Sequence, residues 1–159
     1  MVEVIISSRG YFQKRLKDGY CFIATTGPTG VGEGDIKLGL FDTGSTTLAQ
    51  ILRIICACDQ ARRFRFCENP TVTDNGSQQS ARNMRIGHTR TPGSSFYKSP
   101  TVSAEGSVWA DFWVKENVPT NLELVEVPWA LQANKTLLMI TSGGAGMNAS
   151  ITVEWEESW

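Results

Sequence analysis

Apolar and polar residues alternate with a period of two along most of the chain. In Arg63-Phe64-Arg65-Phe66-Cys67 the phenylalanines fall on one face and the arginines on the other. In Ile151-Thr152-Val153-Glu154-Trp155-Glu156 the same spacing sends Ile, Val and Trp inward and Thr152, Glu154 and Glu156 toward solvent or a partner. The pattern predicts strands at 2–7, 20–24, 36–41, 50–58, 63–67, 108–115, 121–127, 136–141 and 150–155, each bounded by Gly, Pro, Asn, Asp or Ser. No stretch keeps a helical period over three turns, and the best helical alternative, 46–58, is weakened by β-branched residues and Cys. Many short strands with Gly-rich turns predict an all-β fold, a single jelly-roll-like β-sandwich domain over 1–159.

One repeat interrupts this pattern. Pro70-Thr71-Val72-Thr73-Asp74-Asn75-Gly76-Ser77 returns as Pro100-Thr101-Val102-Ser103-Ala104-Glu105-Gly106-Ser107. Pro suits the start of an edge strand, and Gly supplies the positive φ of the turn that follows. The expectation is two similar turns on related edge strands. Between the copies, 77–99 is polar, Arg-containing and short of core residues, which predicts a long projecting loop or arm.

Composition refines the picture. A chain of 159 residues suits one domain and can bury a core without a metal or disulfide staple. No apolar run approaches the ~20 residues of a membrane-spanning helix. The start, with Glu3 and no basic region before an apolar stretch, does not read as a secretory signal. Four cysteines, two of them at 56 and 58, do not form a secreted disulfide framework, so synthesis in a reducing cytoplasm is expected. The net charge of −1 hides an asymmetry: 53–98 carries +5 and 99–159 carries −6. Such a split concerns association more than fold.

Several segments invite chemistry. Asp42-Thr43-Gly44-Ser45 follows an apolar strand, as the carboxylate loop of an aspartic protease would. With one copy per chain such an enzyme would need a homodimer, whereas Asp, Gly and Ser are also ordinary turn residues, and the turn is the expectation. Cys56-x-Cys58, with Cys67 and Cys21, could suggest zinc, but buried free Cys is the commoner fate in strands, and His88 is the single histidine. Gly27-Pro28-Thr29-Gly30-Val31-Gly32-Glu33-Gly34 resembles a phosphate loop yet lacks the closing Lys-Ser/Thr and precedes a strand. No catalytic, cofactor or metal site is assigned.

The remaining candidates concern contact. Arg62, Arg63, Arg65, Arg82, Arg85 and Arg90 form a basic block with Phe96 and Tyr97 nearby, a composition open to single-stranded nucleic acid or to a protein interface. The acidic pI of about 5.8 favours the interface. Five tryptophans lie in 109–159, and Trp109 and Trp113, four apart on a strand, are expected on one face with Ala110 and Phe112 on the other. Trp113 joins the interface candidates, and a glycan platform is the alternative use.

The order of these segments also carries a resemblance. It runs through Ile51-Leu52-Arg53-Ile54, Phe64-Arg65-Phe66, the Pro70–Gly76 run and Ala81-Arg82-Asn83-Met84. It continues through Tyr97-Lys98-Ser99-Pro100-Thr101-Val102, the stretch 131–142 and Ile151-Thr152-Val153-Glu154-Trp155. Across about two-thirds of the chain this resembles a family of small tailed-phage virion proteins. The resemblance implies a virion structural protein, a capsid decoration (cement) protein whose partners are the major capsid protein or other virion proteins, with no catalytic residues, cofactor or membrane. It also implies self-association as a trimer. In that arrangement the arm, with Arg82, Arg85, Arg90 and Lys98, would lie on a neighbour's Glu123, Glu126, Glu154, Glu156 and Glu157.

Overall fold

A computed structural model of the chain describes residues 8–124 and 129–158. The strand expected at 2–7 and the end of that expected at 121–127 lie outside the described residues. The elements are α1 (Ser8–Lys17), β1 (Cys21–Thr25), β2 (Thr29–Val31), β3 (Asp35–Asp42), β4 (Leu48–Cys58), β5 (Arg62–Glu68), β6 (Thr71–Asp74), β7 (Ser77–Gln79) and β8 (Arg82–Asn83). They continue with β9 (Ser95–Lys98), β10 (Thr101–Ala104), β11 (Ser107–Val114), β12 (Thr120–Glu123), β13 (Trp129–Leu131), β14 (Thr136–Ser142) and β15 (Met147–Ser158).

Two antiparallel sheets make the expected β-sandwich. The first runs β12-β4-β15-β1-β8, with β13 on a second stretch of β4 and β2 on the start of β15; the second runs β11-β5-β14-β3-β9-β7. Their inner faces share one core, including Phe22, Ile51, Ile54, Ile151, Val153 and Trp155 from the first sheet and Leu38, Phe41, Phe64, Phe66, Phe96 and Leu137 from the second. β15 pairs with both β4 and β1, so the C-terminal strand sits inside its sheet, and Ile151, Val153 and Trp155 face inward as their spacing predicts. The segment 46–58 is largely strand: its β-branched residues pack better on a pleated surface than on a helix.

The helix α1, the one helix among the described residues, was not expected. Its end is written in the sequence nonetheless: Lys14, Arg15 and Lys17 occupy the last turn, and Gly19 (φ 73°) follows. Gly19 N–H donates to Leu16 O at 3.1 Å and Tyr20 N–H to Arg15 O at 3.0 Å, the paired bonds of a Schellman cap.

The repeat forms two similar turns on edge strands, as expected, and does more. Its two copies pair with each other as the antiparallel ribbon β6–β10, with Val72 opposite Val102. The relation extends beyond the ribbon, because the second sheet reads the same from both ends, β11, β5 and β14 matching β7, β9 and β3. Glu68 pairs with Ser107 as Lys98 pairs with Ser77. Asn69 N–H donates to Thr136 O at 3.2 Å, and Ser99 N–H donates to Leu38 O at 3.2 Å. Asn69 (φ 52°) and Ser99 (φ 55°) both precede a proline in the left-handed region, and Gly76 (φ 82°) and Gly106 (φ 83°) end the ribbon strands. Sheet and ribbon thus have an approximate two-fold axis near the Leu138–Leu40 pair. Across the outer face runs the row Cys67, Leu138, Leu40, Tyr97, and the ribbon lays Val72 and Val102 over it. That central row is thereby covered by the chain itself, with the apolar burial that favours such closure.

The segment 77–99 lies on the body and does not project. β7 and β9 pair with each other, β9 pairs with β3, and β8 pairs with β1. In between, Met84 N–H donates to Cys21 O at 2.9 Å, and Arg85 donates to Lys17 O. The segment reads as loop because its anchors are backbone hydrogen bonds and one buried ring, Phe96, and a hydrophobicity pattern registers neither.

Candidate interaction surface

The nine residues expected at an interface fall in separate places. Phe96 is fully buried and belongs to the core, where its ring packs on Gly39. Tyr97 is half-buried in the second apolar cluster under the ribbon. Neither presents a contact face of the kind expected, because β9 is an internal strand of its sheet. Arg62 donates to Ala61 O at 3.0 Å and to Gln60, and packs on Gly144.

Arg63 and Arg65 stand outward, as the alternation predicts, but the chain supplies their partners. Arg63 Nε donates to Asp111 Oδ1 at 2.7 Å across the β5–β11 ladder. Arg65 reaches Asp35 at 2.5 Å and Glu105 at 3.2 Å, and Lys37 adds a 2.7 Å bond to Glu105. Arg63 holds the Asp111 carboxyl below its ordinary value, and Lys37 first, then Arg65, do the same for Glu105. These charges pair within one molecule, which removes them from the set free to hold a phosphate backbone.

The other arginines gather at the opposite edge, beside α1. Arg82 and Arg85 are exposed, and Arg90 lies over the Tyr20 ring at 3.8 Å with Arg15 on the same ring at 3.7 Å. His88 Nδ1 accepts from Arg90 N–H at 3.1 Å, and the imidazole packs on Gly19.

The C-terminal acids are also engaged at home. Glu154 and Glu156 point outward but are buried, contrary to the solvent-facing expectation. Glu154 pairs with Arg53 at 2.5 Å, and Glu156 lies 3.8 Å from Arg15 of α1. Burial pushes the Glu156 carboxyl up, and Arg15 opposes the rise. Glu157 is fully buried at the end of the core, where its carboxylate accepts from Gly93 N–H and Ser94 N–H at 2.8 Å each and from Trp155 Nε1 at 2.9 Å. An acid of the C-terminal block does meet the 77–99 segment, within one subunit and through backbone amides.

The candidate chemistry resolves into turns and packing. Asp42 Oδ1 accepts from Gly44 N–H at 2.9 Å, and Thr43 Oγ1 donates to Gln132 O at 2.8 Å while accepting from Lys135 N–H at 3.0 Å. This is an Asx turn stitched to a neighbouring loop. The four cysteines are free and buried. Burial, with Glu156 adding to it, pushes the Cys21 thiol up to about 12. Among the described residues no group of three or more His, Cys, Asp or Glu could hold a metal ion. The Gly-rich run 27–34 leads through β2 into β3, with no helix to receive a phosphate.

Among the described residues, Ile86, Val118 and Leu48 are exposed singly, while Val108, Trp109 and Trp113 share β11, the terminal strand of the second sheet, whose outer edge carries no strand among the described residues. Ala110, Phe112 and Val114 face the core. The register slips between Val108 and Ala110, so a bulge turns Trp109 away from the expected alternation. Its ring stacks on Trp129 of the first sheet at 4.9 Å. Trp109 and Trp113 therefore do not share a face. Trp113 stays on the outer face, 70% exposed, with Val108 at 55% on the same strand.

No family model, no curated protein and no solved structure matches the chain. The surface must be read from its own chemistry. A long, apolar, unpaired edge is unusual on a free-standing sheet protein, because it templates association. β11 combines that edge with an exposed indole and with Asp111, whose charge Arg63 already balances.

Proposed function

We propose that the chain is a structural subunit of a tailed-phage particle, a decoration (cement) protein that binds the capsid lattice and stabilises the head. The observation that supports this reading is the β11 edge: an exposed Trp113 and Val108 on a strand whose outer edge carries no partner among the described residues, in a body whose central outer-face row is already covered. Such an edge suits a partner that adds backbone hydrogen bonds and a pocket for the indole. Covering the exposed part of Trp113 would contribute roughly 3 kcal/mol at 25 cal/mol per Å², enough for one side chain to dominate a contact. The partner is the major capsid protein or another virion protein. Copies would associate as trimers, the number following from the resemblance. The intramolecular ion pairs of Arg63, Arg65, Glu154 and Glu156 leave apolar burial as the main source of affinity.

The test is co-sedimentation of the protein with purified capsids of the phage that encodes it. The expected result is a copy number matching lattice sites, and release by Trp113→Ser with the melting temperature unchanged. Protein that stays at the top of the gradient overturns the capsid reading. Binding that survives Trp113→Ser combined with Val108→Ser removes β11 from it.

A further inference from the structure

A second site lies at the other edge of the sandwich. Between β7 and the segment 91–95 the surface opens into a groove of about 350 Å³, within the range of small-molecule sites. Gln78, Gln79, Ser80, Thr91, Ser94 and Ser95 form its polar lining, Ala81 and Pro92 its apolar part, and no charged side chain lines it.

The groove is built on fixed backbone. Gln78 and Gln79 pair with Tyr97 and Phe96 in the β7–β9 ladder, and Phe96 is anchored in the core. Gln78 Nε2 donates to Ser95 Oγ at 3.2 Å, and Gln79 Nε2 to Ser77 O at 2.8 Å. From below, Glu157 holds the amides of Gly93 and Ser94. Ser94 itself is only 3% exposed, and its Oγ has no hydrogen-bond partner among the described residues. That hydroxyl is closed to solvent, so Ser94 shapes the groove floor and the hydrogen-bonding side chains open to an occupant are those of the more exposed lining residues, Gln78, Ser80 and Thr91.

We propose that the groove binds a single neutral pyranose ring. Side-chain hydroxyls and amides both donate and accept, which matches a ligand bearing a hydroxyl on nearly every ring carbon. Anionic ligands are recognised by paired guanidinium or ammonium donors. The groove has none in its lining, and the nearby Arg90 is committed to the Tyr20 ring. Pro92 and Ala81 give the C–H face of a sugar ring a small apolar contact. The proposal is independent of the capsid reading, because β7 and β11 are opposite ends of one sheet.

The test is a ¹H–¹⁵N titration of the full chain with glucose, galactose, mannose, rhamnose and N-acetylglucosamine, and with glucuronate as the charged comparison. At least one neutral sugar should give saturable shifts at the amides of Gln79, Ser80, Ser94 and Ser95, with a dissociation constant of about a millimolar. Gln78→Ala, an exposed change, should weaken it about tenfold, while Trp113→Ala leaves it unchanged. Absence of saturable shifts with every neutral sugar into the tens of millimolar overturns the proposal. So does saturation by glucuronate alone, or shifts confined to β11 residues.

Discussion

Replacing Glu157 by Gln tests whether a buried carboxylate ties the 77–99 segment to the core. One oxygen accepts from Ser94 N–H and Trp155 Nε1, the other from Gly93 N–H. The amide of Gln keeps one acceptor oxygen and turns an NH₂ toward a backbone N–H. With the oxygen kept on Ser94 and Trp155, the Gly93 N–H is left without its partner at a part-buried bond, which costs about 1–3 kcal/mol. The surviving bonds also lose their ionic character, which roughly halves charge-assisted strength. Relief of the charge's desolvation offsets part of this, so the net loss is about 2–3 kcal/mol. For a domain of this size each kcal/mol lowers Tm by about 2–4 °C, and a drop of roughly 4–12 °C is expected by calorimetry. Hydrogen exchange adds a local reading: the Gly93 and Ser94 amides should lose protection more than the β4 amides. A Tm within a degree or two of the parent, with those amides still protected, would refute the clamp.

Other consequences follow from the same geometry. A Cβ at Gly106 would overlap Glu68 O and one at Gly76 would overlap Lys98 O, both at positive φ. Each change to Ala should therefore destabilise by more than about 2 kcal/mol, whereas Gly27→Ala, with φ 64° and open space around it, should cost only about 1 kcal/mol; chemical denaturation ranks the three. The Glu156 carboxyl is raised by burial, so the folded state holds its proton more tightly and stability falls as pH rises through the range above the ordinary carboxyl value. Glu156→Gln should match or exceed the parent's Tm at neutral pH, and the difference should vanish below pH ~4, where both groups are neutral; a parent that gains stability over that rise relative to the variant would contradict the sign. With Cys21 at about 12 and all four thiols buried, a thiol reagent at neutral pH should label the folded chain only at the rate of unfolding; rapid labelling of any one would show that it is exposed.

Much of the sandwich was legible from alternation alone, because a strand buried on one face must repeat every two residues. That held for β5 and for the inward set Ile151, Val153 and Trp155 of β15, whereas β14 is buried on both faces and reads as a continuous apolar run. Local chemistry, too, was decided by short range: the Asx turn at Asp42 is made by residues two apart. The basic last turn and Gly19 that close α1 were equally local and could have signalled a helix end.

Contacts that join distant segments could not be read this way. Glu154 and Glu156 occupy outward positions of their strand, and only Arg53 and α1, from elsewhere in the chain, bury them. One bulge residue in β11 moved Trp109 off the face it would share with Trp113, since an added residue reverses the alternation beyond it. Offset similarity revealed the repeat, but that its copies pair, cover the central row of the outer face and make the second sheet symmetric depends on strand order, which a linear pattern does not encode. The polar segment 77–99 lies flat because backbone amides, Phe96 and the Glu157 carboxylate hold it. The sequence determined which residues are apolar and how often they recur; tertiary structure decided which polar groups could be buried, because each needed a partner that only the folded chain brings within reach.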